Sequence, residues 1–291
     1  MKRIHRWTAT LMSCGAAAAF LVGCDSDNNG ATGTVRVHLT DAPYAFDLIA
    51  SAEVTIDRVE ARVQSDAEGG FHVLSVTPRT VNLLELRNGV TDVLVEAEVP
   101  VGTIDQLRLR IAAAHVVLTD GREFELDVPS GDTSGLKVFP EPGIVVAGDI
   151  TSELLLDFDV SQSFRPIPAA PQQADDIDHF QFHPTLRVAN LSATGTLSGT
   201  VMSNAGTALE TSDDYAVANA TVEVMVGDDT VTSVTDEGGE FRILGIPPGV
   251  YTVFAYADAH TLASAAVTVV VANDIDVGVL LLAQIEVGTT P

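Results

Sequence analysis

The sequence predicts an all-β protein, and its apolar spacing and turn chemistry carry that prediction. Apolar residues recur with period two almost everywhere after residue 33. Leu107, Leu109 and Ile111 alternate with Arg108 and Arg110, and Val222, Val224 and Val226 repeat the pattern, as do Val267, Val269 and Val271. Such alternation marks a strand with one buried face. The runs are bounded by Gly, Pro, Asn and Asp, the residues that turns require. No window carries a helical stripe longer than two turns; Val90 to Glu98 is the best candidate, and it is short. The expected architecture is two antiparallel β-sandwich domains.

The elements follow in order. The chain opens with Lys2, Arg3 and Arg6, then an apolar run from Leu11 to Val22. A run of that length spans about 18 Å as a helix, short of the roughly 30 Å hydrocarbon core, so it reads as a signal segment and not a membrane span. It ends in Leu21-Val22-Gly23-Cys24, which resembles the lipobox of bacterial lipoproteins. That resemblance implies a diacylglycerol on the Cys24 thiol, cleavage before Cys24, and acylation of the new amino terminus. Two or more acyl chains anchor a protein stably where one does not. Residues 1–23 are then the signal peptide and residues 24–33 a flexible polar tether. Asp25 resembles the inner-membrane retention signal of enteric bacteria; that rule varies between lineages, and the leaflet stays open. With Cys14 removed and Cys24 acylated, no intramolecular disulfide remains. Asp25-Ser26-Asp27-Asn28-Asn29-Gly30 begins like a calcium-binding EF-hand loop, but Arg36 occupies the twelfth position, where a bidentate Glu is needed.

Charge narrows the function. The 291 residues carry 40 Asp+Glu against 15 Lys+Arg, a formal charge of −25. Loss of the signal leaves 12 basic groups against all 40 acids, or −28. Such a polyanion repels phosphate backbones, which argues against nucleic-acid binding. Its surface is expected to stay soluble, stand off from anionic lipids and hold divalent cations only loosely.

In the run 52–63 the apolar parity switches from Val54 and Ile56 to Val59, Ala61 and Val63, which predicts a one-residue bulge near Asp57-Arg58. Val116 to Val128 reads as a hairpin closed by a two-residue primed turn at Asp120-Gly121. Leu154, Leu156, Phe158 and Val160 alternate with Leu155, Asp157 and Asp159. Ser161 to Asp176, rich in Pro, Gln and Ala, is read as a long loop inside the first domain. Phe180, Phe182, Leu186 and Val188 beyond it still read as strand, so the first domain covers residues 34–190 and the second 191–291.

Two resemblances follow from these segments. Thr40-Asp41-Ala42-Pro43, Val81 to Leu86, Asn88-Gly89, Leu107-Arg108-Leu109, Val128 to Gly131, Ser134 to Lys137 and Leu156 to Asp159 occur in the order of the bacterial and archaeal lipoprotein family named domain of unknown function 4382. The usual basic residue before the last Pro is replaced by His183. The resemblance covers about residues 33–190 and implies an address but no chemistry. The second block resembles the carboxypeptidase regulatory-like domain, a transthyretin-like seven-stranded sandwich also called a carbohydrate-binding-like fold. Gly199 to Val201, Ala218 to Val224, Thr235-Asp236, Gly239-Glu240-Phe241 and Gly245 to Val253 carry it. There Asp236 to Gly239 predicts a tight turn that sends Phe241 and Ile243 inward.

Candidate chemistry is sparse. No nucleophile elbow, Walker loop, H-E-x-x-H or Cys/His zinc spacing occurs. His179 and His183 stand about 13 Å apart along a strand, too far to share a metal ion. His38, His72, His115 and His260 are isolated. Asp157 and Asp159 share a strand face roughly 7 Å apart, a separation that suits a carboxylate pair or one hard cation. Asp41 is a third calcium ligand if the fold brings the segments together; otherwise the pair is a solvated face and Asp41 makes a local turn. For sugars, the only Trp is Trp7, in the signal, which leaves Tyr215 as the best exposed ring. The expectation is a lipid-anchored, non-catalytic binding or scaffolding module with a carbohydrate or envelope-protein ligand. The rival is an envelope hydrolase or transferase using Asp157 and Asp159. No cofactor is expected beyond calcium.

Overall fold

The computed structural model describes residues 31–42, 48–64, 70–128, 135–169, 171–204 and 214–285. Every long element among them is a strand. The first domain comprises β1 (Thr32–Ala42), β2 (Ile49–Val63), β3 (Phe71–Ser75), β4 (Arg79–Asn82), β5 (Asp92–Pro100), β6 (Gly102–Leu118), β7 (Glu123–Leu126), β8 (Leu136–Val138), β9 (Ile144–Val146), β10 (Thr151–Asp159), β11 (Phe164–Ile167), β12 (His179–Phe182) and β13 (Leu186–Asn190). Two larger sheets enclose its core, and the two-stranded sheet β11-β12 adds Phe164, Phe180 and Phe182 to it. One has the order β13-β10-β1-β5; the other is built on β3-β2-β6-β7, with β4 joined to β2 and both β8 and β9 joined to β6. Val37, Leu39, Leu154, Leu156 and Phe158 from the first sheet meet Val54, Ile56, Leu107 and Leu109 from the second, each at most 1% exposed.

The second domain comprises β14 (Gly195–Asn204), β15 (Tyr215–Ala216), β16 (Thr221–Val226), β17 (Asp229–Val234), β18 (Glu240–Ile246), β19 (Gly249–Tyr256), β20 (Ala263–Val269) and β21 (Asp274–Ala283). Its sheets are β15-β14-β18, with β21 on β14, and β17-β16-β19-β20. A separate core lies between them, centred on Leu197, Val201, Val222, Val224, Phe241, Ile243, Val253 and Leu282. The Asp236 turn forms: its Oδ1 accepts from the backbone N–H of Gly238 and of Glu240, both at 2.9 Å, and Phe241 and Ile243 are each 2% exposed. Thr235 beside it is 3% exposed; its Oγ1 accepts from Ala220 N at 2.8 Å and donates to Val217 O at 2.6 Å. Thr235→Val keeps the shape but orphans both backbone groups, so it should lower unfolding free energy by about 2 kcal/mol in urea titrations. A loss near zero would mean that water replaces the hydroxyl.

Several expectations are corrected. Neither domain is a purely antiparallel sandwich, because β1 runs parallel to β10 and β14 parallel to β21. Period-two alternation reads the same in either direction, so the sequence carries no sign of it. The Val90–Glu98 helical candidate is strand β5 from Asp92 onward. The Ser161–Asp176 loop contains a one-turn helix at its start and strand β11, which pairs with β12. The Asp120-Gly121 hairpin closes with a three-residue loop. Leu118 N bonds Arg122 O, Gly121 N bonds Leu118 O, and within the loop Gly121 alone has positive φ, at 87°. That is a turn followed by a left-handed glycine, the other common hairpin closure. The bulge in β2 is present, with the register against β6 shifting between Ile56 and Arg58. In β12, His179 and Gln181 are exposed while Phe180 and Phe182 are buried, as the alternation requires.

Candidate functional site

The predicted acidic site resolves into three aspartates with separate surroundings. Parity decides this. In the parallel ladder Asp41 lies beside Phe158, whereas Thr40 lies beside Asp157 and Ala42 beside Asp159. Asp41 therefore shares the inward face with Leu39, Leu156 and Phe158, and the other two project from the opposite face of the sheet. Among the described residues no group of three or more His, Cys, Asp or Glu side chains is placed to hold a metal ion. The strands bring the segments together, but the pleat keeps the carboxylates from forming one ligand set.

Asp41 is 4% exposed. Its Oδ1 accepts from Val160 N at 3.4 Å, and its Oδ2 has no hydrogen-bond partner among the described residues. Burial raises its carboxyl well above the usual carboxylate range, and the negative charge of nearby Asp157 adds to the effect. Asp159 caps the one-turn helix that follows it: its Oδ1 accepts from Gln162 N at 2.9 Å and Ser161 Oγ at 2.6 Å.

Asp157 does not lie on a solvated face; it is 7% exposed. Its strand neighbour Arg187 on β13 donates from Nη2 to Oδ2 at 2.8 Å. The same guanidinium crosses into the second domain, donating from Nη1 to Gly245 O at 2.8 Å and from Nη2 to Leu244 O at 3.2 Å. Gly245 (φ 69°) permits this approach, since a Cβ there would stand 2.7 Å from Ala189 Cβ and 3.3 Å from Leu155 Cδ2. Asn88 adds a further link, its Nδ2 donating to Glu240 O at 3.1 Å. The outward face of β10 and β13 is thus a domain junction pinned by one charged fork, with both domains hydrogen-bonded to the same side chain. Arg187 was the residue that sequence reasoning missed. Its only local signal is a charge between Leu186 and Val188, which reads as ordinary strand alternation.

Tyr215 is 41% exposed, but it is not a bare platform. His260 Nδ1 lies 2.7 Å from the Asp258 carbonyl, which can only accept, so Nδ1 carries the proton. His260 Nε2 is hydrogen-bonded to the Tyr215 hydroxyl at 3.2 Å, and the rings meet edge to face at 6.4 Å. The hydroxyl end of the ring expected to stack on sugar is thus engaged by His260. His38 sits 3.3 Å from Glu153 Oε2 without hydrogen-bond alignment, and its side chain is 14% exposed. Cys24 and the Asp25–Gly30 segment lie outside the described residues.

With the geometry in place, comparison with known families matches the one described as Domain of unknown function (DUF4382) over residues 32–177, just over half the chain. The chain belongs to the DUF4382 family. In this DUF4382 protein, residues 196–281 match a second family, the carboxypeptidase regulatory-like domain. The family match begins with β1 and holds Asp41, Asp157 and Asp159, while Arg187 falls between the two matched segments. No curated protein matches the chain. Similar solved structures include the minor pilin GBS52 of Streptococcus agalactiae, 10% identical with a TM-score of 0.27, covering 88% of this chain and 98% of that one. The shaft pilin spaA of Lactobacillus rhamnosus GG is 11% identical with a TM-score of 0.24, covering 89% and 100%. A mutant type II cohesin–X-dockerin complex of Acetivibrio cellulolyticus is 23% identical with a TM-score of 0.24, covering 31% of this chain and 58% of that chain. The DUF4382 protein thus spans less than two thirds of that cohesin-complex chain. Likenesses at these scores carry no argument about its function.

Proposed function

We propose that this DUF4382 protein is a lipid-anchored cell-envelope protein acting as a non-catalytic binding or scaffolding module. The observation that supports it best is the use to which the outward carboxylates are put. Asp157 is held by Arg187 at the domain junction, and Asp159 caps a turn. A hydrolase or transferase acting through this pair would need both carboxylates unengaged and facing one cleft. The junction instead suits a rigid two-domain spacer that presents its ligand surfaces at a fixed angle. Anchoring rests on the Leu21-Val22-Gly23-Cys24 sequence, and the ligand would be an envelope protein or a carbohydrate.

Expression of the full chain and of Cys24→Ala in a bacterial host, with an alkyne fatty acid supplied, tests the anchor. The parent should be labelled and fractionate with membranes, while the variant should be unlabelled. Labelling that survives Cys24→Ala would overturn it. Affinity capture from the native envelope, with and without calcium, then tests the binding role. Enrichment of one partner or glycan supports it; turnover of a captured glycan or peptide that Asp159→Asn abolishes would make the protein an enzyme.

A further inference from the structure

The formal charge of −25 is spread unevenly, and one face departs from it. On the outward side of the seven-stranded sheet, β2 presents Arg58, Glu60 and Arg62, and β6 presents Asp105, Arg108 and Arg110. Lys137 on β8 is exposed and pairs with Arg108 in register. Asp57 at the bulge binds Arg110 through two hydrogen bonds of 2.6 and 2.7 Å. Among the described residues, five of the 12 basic residues beyond the signal thus share a small area with three acids. The arginines are held in place: Arg62 is bidentate on Asp105 at 2.8 Å, Arg58 lies on Glu60, and Arg108 stacks 3.8 Å above the Phe71 ring. Exposed apolar side chains flank them, with Val73 at 48%, Phe139 at 57% and Val145 at 66%.

Polarity runs along the sheet and across the sandwich. Further along the sheet, the face carries Glu53, Glu123 and Glu125 around His115. The opposite sheet carries Glu96 and Glu153 around Arg36. The basic end is also the end where the chain enters the fold. Ala31 O accepts from Val101 N, directly before β6, and β6 reaches Asp105 and Arg108 within its first turns of pleat.

We infer that the outward face of this sheet, through Arg58, Arg62, Arg108 and Lys137 with Phe139 and Val145 at its rim, lies on an anionic lipid surface. Basic side chains near such a surface and apolar side chains entering its headgroup layer reinforce one another. The orientation rests on the proposed acylation of Cys24: the residues from Cys24 to Gly30 reach at most about 25 Å, so the entry point of the fold stays close to the bilayer. The overall acidity predicted a protein that stands off from anionic lipids. The face supplies a local exception, and repulsion of the remaining surface would set the orientation.

The test uses the full mature chain carrying Cys24→Ser, so that no acyl chain contributes. Vesicles of phosphatidylglycerol and phosphatidylcholine are compared with vesicles of phosphatidylcholine alone in co-sedimentation. Binding is expected only with the anionic vesicles and should weaken as salt shortens the screening length. Lys137→Glu combined with Val145→Asp should reduce it by about tenfold with an unchanged thermal midpoint. Val250→Asp, a 77% exposed position in the second domain, should leave binding as it was. Equal sedimentation with both vesicle types, or undiminished binding by the double variant, overturns the inference. So does self-association that the double variant abolishes while vesicles fail to bind, since the face would then join two copies of the chain. Because the test chain lacks the acylation site, its failure is distinct from failure of the anchor, which the labelling of Cys24 reads separately.

Discussion

Asp157→Ala is expected to destabilise the folded chain by about 3 kcal/mol, because breaking a buried ion pair leaves an uncompensated charge. The Arg187 side chain is 19% exposed and that of Asp157 8%, so neither recovers full hydration when its partner is removed. Arg187 would keep the Gly245 and Leu244 carbonyls as acceptors, which places the loss at the low end for buried pairs. Arg187→Ala should cost at least as much, since it strands Asp157 and releases both carbonyls at the junction. The paired replacement Asp157→Leu with Arg187→Met should recover much of the loss, as an apolar pair often matches a buried ionic one. The cycle is read by urea denaturation, with hydrogen exchange at Leu244 to Ile246 reporting on the junction. If both single variants lose less than about 0.5 kcal/mol, the pair behaves as a surface salt bridge and the junction is held by something else. A loss confined to faster exchange around Gly245 would mean that the fork couples the domains without stabilising either.

The contrast between Asp157 and Arg187 also measures how far the sequence can be read. Strand identity followed from spacing alone: Phe180 and Phe182 turn inward and His179 and Gln181 outward because a pleat has period two. The β2 bulge and the Asp236 turn were legible for the same reason, each being written in a few adjacent residues. What could not be read was the pairing of distant strands. Asp157 meets Arg187 only because β10 and β13 are antiparallel neighbours, a register that local chemistry does not encode. Asp41 and the Asp157–Asp159 pair do come from adjacent strands, but the register fixes them on opposite faces, and a shift of one residue would have reversed that. The alternation that made Asp157 look solvated was correct about its direction. It could not show that a second domain covers that side.

Asp41 gives the second large effect, and its sign follows from linkage. Its carboxyl is raised well above the ordinary range by burial and by Asp157, so the folded chain holds a proton that the unfolded chain releases at ordinary carboxylate pH. Below that range both states are protonated, and Asp41 contributes its full stability. As pH rises from about 4, the unfolded state binds fewer protons than the native one, so stability falls with pH until the native carboxyl also ionises. Ionisation inside the apolar layer of Leu39, Leu156 and Phe158 carries a penalty on the order of several kcal/mol, only partly offset by the Val160 N–H. Asp41→Asn keeps an oxygen for Val160 N and cannot ionise. Its stability relative to the parent should therefore rise as pH climbs above the ordinary carboxylate range and level off once the native carboxyl ionises, read as urea midpoints at each pH. The carboxylates of half-buried Asp105 and Asp176 and of exposed Asp120 are lowered by their hydrogen bonds and bias stability the other way, toward loss in acid. Because they are present in both chains, they cancel in the comparison. A parent-to-variant difference that stays flat across the range would show that Asp41 titrates like a solvated carboxylate. The inward placement of its side chain would then be wrong.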